Sequence, residues 1–132
     1  MDKEIMAFSY ATDGSFRLSE HFKVYEFRCK DNTNPIFVSS TLIEVLECIR
    51  EHFKKPVYIN SGYRNPAYNA MIGGAKNSMH MYGMAADIHI NGVTPKQIAE
   101  FAETLMPNGG GIGIYENFCH IDVRFVKSRW NG

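Results

Sequence analysis

Five histidines carry the side chain best suited to chemistry near neutral pH, and their surroundings differ sharply. His80 follows a run of small and flexible residues, Gly73-Gly74-Ala75-Lys76-Asn77-Ser78, and precedes Gly83 and then Asp87 within a β-prone stretch. His120 lies in the last β-prone stretch, whose strand can run beside the one holding Asp87. A catalytic zinc site commonly takes three nitrogen or oxygen ligands from the protein and keeps a fourth position for water. His80, Asp87 and His120 supply that count. A metal held by them makes hydroxide available near neutral pH and polarises a carbonyl oxygen, which is hydrolase chemistry. On spacing alone the set is not specific, because a histidine and an aspartate at this separation also occur by chance. His21 and His52 sit in helical segments among ordinary neighbours and read as structural.

Ser78-Met79-His80-Met81-Tyr82-Gly83-Met84-Ala85-Ala86-Asp87 matches the SxHxxGxAxD signature of the zinc D-Ala-D-Ala carboxypeptidase family. Phe118-Cys119-His120-Ile121-Asp122-Val123-Arg124 resembles the later histidine motif of one branch of that family, and Ser61-Gly62-Tyr63-Arg64-Asn65-Pro66 is similar to its SGYR segment. The likeness runs in the expected order from about Val57 to Arg124, roughly half the chain. It implies a hedgehog-type fold and an enzyme with one zinc per chain that cuts peptide bonds next to D-alanine, or in related cross-bridges, of bacterial peptidoglycan. It also implies His80, Asp87 and His120 as the zinc ligands.

The resemblance gives Arg64 a role in substrate binding and catalysis, since a guanidinium offers paired donors to a carboxylate or to the oxyanion that forms as hydroxide attacks. Ser78 and Tyr63 are candidates for hydrogen bonds to the peptide, with local capping and loop packing as the alternative. Several branches of the family place a glutamate three residues before the last zinc histidine. Here that position is Asn117, which cannot take a proton. Glu116 in the preceding turn and Asp122 on the strand face of His120 remain as candidate bases, with Glu116 favoured for its longer side chain and Asp122 open to a role orienting an imidazole. His89 shares the face of Asp87 and reads as a surface or packing residue, and Cys119 as core, pointing away from the metal. Tyr63, Tyr68, Tyr82, Tyr115 and Trp130 serve either the core or a substrate groove.

These residues need elements to position them. Leu42, Val45, Leu46, Ile49 and Phe53 recur at helical spacing, with Thr41 and Glu44 as a capping box and Pro56 as a stop. Thr94, Pro95 and Gln97 announce a second helix that carries Ile98, Phe101, Ala102 and Leu105. Val57 to Asn60, Ala85 to Ile90, Gly111 to Tyr115 and Cys119 to Phe125 read as strands, the last two joined by a short turn. A helical turn starts near Pro66 and another follows Ser19, while residues 31–35 read as a loop. The expected class is α+β, with helices on a small, mostly antiparallel sheet. The Gly109 to Ile114 run is no phosphate loop, because no helix start and no lysine follow it.

A chain of 132 residues with 45% hydrophobic and 21% charged content reads as one globular domain over 1–132, with 1–38 its least regular part. Formal net charge is zero, so no global field draws it to nucleic acid or to an anionic membrane. Cys29, Cys48 and Cys119 are odd in number and lack CxxC spacing, which suggests three buried or half-buried free thiols. No secretory signal opens the chain, so the expected place of synthesis is the cytoplasm, with release to the wall as a phage or prophage lysin. The competing expectation is a structural or assembly protein that keeps the fold and the metal without catalysis.

Overall fold

The computed structural model describes residues 4–132. Its first two strands, β1 (Ile5–Ser9) and β2 (Pro35–Ser39), pair antiparallel into a small sheet, with the single turn α1 (Tyr10–Asp13) between them. Helix α2 (Ser40–Phe53) follows, then β3 (Tyr58–Ser61), α3 (Pro66–Met71), β4 (Ala85–His89), α4 (Pro95–Leu105), β5 (Gly111–Ile114), β6 (Cys119–Asp122) and β7 (Ser128–Asn131). Two 3-10 turns, Val24–Phe27 and Met79–Tyr82, complete the order. The main sheet has the order β3-β4-β6-β5-β7, antiparallel throughout except for the parallel pair β5 and β7. The α+β class and the mostly antiparallel sheet hold.

Leu42, Ile43, Leu46 and Ile49 form the buried stripe of α2, and Ile98, Ala99 and Ala102 that of α4. The two helices pack on each other and α4 lies on β5 and β6, so both stripes meet Ile88, Ile112 and Ile121 of the sheet. Each fully buried Leu or Ile contributes about 1.5–3 kcal/mol relative to exposure. The strands alternate accordingly: Ile112 faces this core, and Gly111 and Gly113 face the other side. That second face carries the chemistry.

Several local expectations change. Ser39, not Thr41, caps α2, its hydroxyl accepting from Leu42 N–H at 3.3 Å, and the helix ends at Lys54 in the left-handed region before Pro56 is reached. Ser39, Ser40 and Thr41 are all capping types; the structure selects Ser39 because β2 buries it and its N–H is bound to Gly83 O at 2.8 Å. The helix expected after Ser19, with Phe22, Tyr25 and Phe27 on one side, is only the 3-10 turn Val24–Phe27; Phe22 and Phe27 are core, but Tyr25 is exposed. The 31–35 loop yields to β2 at Pro35. Of the thiols, Cys29 and Cys119 are buried but Cys48 is exposed. Strand β7 has no counterpart among the expected elements.

Candidate metal centre

Asp87 on β4 stands directly opposite His120 on β6, and His120 stands opposite Gly113 on β5, which in turn is paired with Trp130 on β7. Directly opposed residues share a sheet face, so one row across four strands reads Asp87, His120, Gly113, Trp130. The glycine leaves the row open at its centre: a Cβ at Gly113 would lie 2.5 Å from the Trp130 indole. The next row behaves alike, since a Cβ at Gly111 would collide with the Asp122 carboxylate. The Gly-Ile-Gly-Ile alternation of β5 thus fills the core with isoleucine on one side and makes room for Asp122 and Trp130 on the other.

His80 reaches the same face from the 3-10 turn Met79–Tyr82. Ser78 caps that turn, its hydroxyl accepting from His80 N–H at 3.2 Å, and Gly83 closes it at φ 71°. A side chain at Gly83 would be strained in φ and would place Cβ 2.6 Å from Phe37 O, so the motif glycine is required by both backbone and packing. The imidazole Nδ1 lies 2.8 Å from Gly62 O. A carbonyl only accepts, so Nδ1 carries the proton and Nε2 of the neutral ring is left with a lone pair. Nε2 is buried, sits 3.2 Å from Asp87 Oδ2, and has no hydrogen-bond partner among the described residues.

Each of His80, Asp87 and His120 offers one ligand atom, the three lying within 4.8 Å of one another, and all three residues are buried. An orphaned imidazole lone pair, a second imidazole and a carboxylate form the donor set of a zinc site, so these residues fit that ion. His120 Nδ1 is 2.9 Å from Asp87 Oδ1, and its Nε2 is 2.8 Å from Asp122 Oδ2. Asp122 is 0% exposed and also accepts from Arg124, whose Nε and Nη2 both reach it.

The charges are mutually supporting. Burial works to raise the Asp87 carboxyl, but the His120 ring outweighs it and holds the group well below the usual carboxylate range. Asp122 behaves likewise, burial being overcome by His120 and then Arg124. Burial lowers His120, and hydrogen bonds to Asp122 and Asp87 reverse that and raise it. Cys119, next in sequence, turns into the core, where burial and then the Asp87 charge push its thiol up to about 12.

Arg64 borders the group. Its Nη2 is 3.3 Å from Asp87 Oδ2, Nη1 is 3.3 Å from Asn69 Oδ1, and Nε is 3.1 Å from Ser61 Oγ. Arg64, Ser78, His80, Asp87 and His120 line one cavity of about 440 Å³, together with Tyr115, Phe118, Arg124 and Trp130. Ser78 therefore both caps its turn and reaches the cavity. Tyr63 does not line it; the ring is buried and packs edge-on against Phe37 at 5.1 Å. Glu116 is exposed in the turn between β5 and β6 and is not part of the lining. His89 pairs with Asn60 and stacks on Tyr58, His21 pairs with Glu47 at 2.9 Å, and His52 stacks on Phe101. Of the groove candidates, Tyr115 and Trp130 line the cavity, whereas Tyr63, Tyr68 and Tyr82 do not. Sequence reasoning missed the roles of Arg124 and Asn69; the first is the last residue of the quoted histidine motif, and the second is a helix residue five positions after Arg64.

Residues 20–122 match the family model described as peptidase M15, which covers most of the chain. The chain belongs to the peptidase M15 family. It is 41% identical over 78 residues to the probable peptidoglycan L,D-endopeptidase MepK of Haemophilus influenzae, covering 54% of this chain and 40% of that protein. It is 41% identical over 77 residues to the peptidoglycan L,D-endopeptidase MepK of Escherichia coli, covering 53% and 41% respectively. A shorter likeness, 53% identity over 34 residues, links it to the zinc D-Ala-D-Ala carboxypeptidase of Streptomyces albus G, covering 26% of this chain and 13% of that protein. The chain spans about two fifths of the length of the MepK relatives that it matches.

Proposed function

We propose that this chain is a zinc-dependent peptidase that hydrolyses peptide bonds of bacterial peptidoglycan, in D-alanine-containing stem peptides or their cross-bridges. The observation that carries the reading is the buried His80–Asp87–His120 group on the wall of a cavity that also presents Arg64. The activities that name the MepK and carboxypeptidase relatives support the substrate class.

When bound, zinc would polarise the scissile carbonyl and make hydroxide available near neutral pH. The chain's own residues do the rest. Gly62 O accepts a hydrogen bond from His80 Nδ1–H and so turns the Nε2 lone pair toward Asp87. Asp122 accepts from His120 Nε2 and so presents Nδ1 as the donor atom, while Arg124 fixes Asp122. Arg64, fixed by Ser61 and Asn69, holds guanidinium donors beside Asp87, where they meet an oxyanion or a substrate carboxylate. Asp122 has its oxygens committed and acts by orienting His120; Glu116 is exposed and outside the cavity lining. A wall-lysing role, with release from the cell that made it, fits this activity.

The test is elemental analysis of the purified protein and of His80→Ala, Asp87→Ala and His120→Ala. Close to one zinc per chain is expected in the parent and little in each variant. Full zinc in a variant removes that residue from the ligand set, and a parent with no affinity for zinc removes the proposal.

A further inference from the structure

The wall of the cavity beside the metal group is completed by Arg124 and by Trp130 of β7. The indole folds over Gly113 toward His120, with ring centroids 5.0 Å apart. It is fixed there: its N–H donates to Tyr115 Oη at 2.9 Å, and Tyr115 is itself stacked on Phe118 at 4.4 Å. The Arg124 guanidinium lies 5.4 Å from the Trp130 ring, a cation–π arrangement that holds the two side chains together. Arg124 spends Nε and Nη2 on Asp122, which leaves Nη1 without a protein partner among the described residues. The lining contains two guanidiniums, Arg64 beside Asp87 and Arg124 paired with the buried Asp122.

A flat apolar surface next to a guanidinium with one unspent nitrogen is complementary to a residue with an aliphatic stem and a free carboxylate. We infer that Trp130 and Arg124 form a specificity subsite for a substrate residue that flanks the scissile bond and bears a free carboxylate, its apolar part lying on the indole and its carboxylate meeting Arg124 Nη1. This rests on the peptidase reading and deepens it: the site selects among peptides by charge beside the bond that is cut.

Trp130 is the one tryptophan in the sequence, so its fluorescence reports occupancy of the subsite independently of catalysis. The probes are the synthetic stem peptide L-Ala-γ-D-Glu-L-Lys-D-Ala-D-Ala, its C-terminal amide, and the form in which the free α-carboxyl of D-Glu is amidated. Zinc-loaded parent, Arg124→Gln and Arg64→Gln are compared by kcat/KM and by change in Trp130 emission. The expected result is a loss of about tenfold or more on amidation of one carboxylate in the parent. That ratio falls to within about twofold in Arg124→Gln, whatever its absolute rate, and persists in Arg64→Gln. Reading the ratio keeps general damage through Asp122 from mimicking the effect. Equal handling of all three peptides by the parent, or selectivity that survives in Arg124→Gln, overturns the subsite. If the parent cuts none of them, the peptidase reading fails on these substrates, and fluorescence still decides: tighter binding of the charged peptide that depends on Arg124 supports the subsite, and equal or absent binding overturns it.

Discussion

Asp122 Oδ2 lies 2.8 Å from His120 Nε2, on the opposite edge of the imidazole from Asp87, whose Oδ1 is 2.9 Å from Nδ1. The ring is therefore held from both sides, and the fully buried Asp122 decides which nitrogen faces the metal position.

This relationship separates the two carboxylates that the sequence left in competition. Asp122→Asn should weaken zinc binding by roughly ten- to a hundredfold and lower activity with it, the size usual for losing a partner of a ligand histidine. Glu116→Gln, an exposed change outside the cavity lining, should stay within about threefold of parent turnover. Zinc titration and steady-state kinetics on the same preparations check both. A dead Glu116→Gln with full zinc would return the base to the turn.

Arg64→Ala should retain zinc and lose activity. Removing a charge-assisted donor aimed at developing negative charge costs about 2–4 kcal/mol, a rate loss of roughly a hundredfold or more. Because Arg64 also touches Asp87, zinc content is measured alongside turnover. Unchanged kinetics would make Arg64 a loop residue only.

Gly83→Ala tests the backbone under His80. The residue is at φ 71°, its Cβ would lie 2.6 Å from Phe37 O, and its own carbonyl binds Ser39 N–H at 2.8 Å. Strain of this kind costs about 1–3 kcal/mol. Thermal unfolding should show a Tm lower by several degrees, and a Tm equal to the parent's would contradict the packing described.

The acid limb of stability has a separate contributor in Glu47. Burial works to raise this carboxyl, but Ser19 and His21 outweigh it and hold it below its ordinary value of 4.5. A carboxylate with a lowered folded value stabilises above the unfolded value and loses that contribution as pH falls through the folded one. Glu47→Gln should therefore be less stable than the parent above about pH 4.5, with the gap narrowing toward lower pH. Denaturant unfolding at several pH values gives the comparison, and a gap constant with pH would show that Glu47 acts through packing alone.

How much of this was legible without coordinates follows from what each residue depends on. Asp87 and His120 could be placed because period-two alternation on short strands fixes which side chains share a face, and the structure pairs them directly. Helix α4 was readable from Thr94 and Gln97, whose reciprocal hydrogen bonds are both present. Strand β7 was not, because Ser-Arg-Trp-Asn lacks an apolar alternation and is a strand only through its parallel pairing with β5. For the same reason Trp130 could be named as a groove candidate but not set beside His120. Arg124 escaped notice because its role depends on Asp122 being buried, a property of the sheet and not of the local sequence. Gly111 and Gly113 exclude a phosphate loop in the sequence, but only the structure shows their purpose, the space taken by Asp122 and Trp130.

The central claim is most directly tested by digesting purified peptidoglycan with the zinc-loaded protein and weighing the fragments by mass spectrometry. The account predicts fragments from cleavage within the stem peptides or their cross-bridges, released by the parent and absent with Asp87→Ala. Intact peptides after incubation with a parent shown to carry its full zinc would contradict it, and would favour a structural protein that keeps the metal without the catalysis.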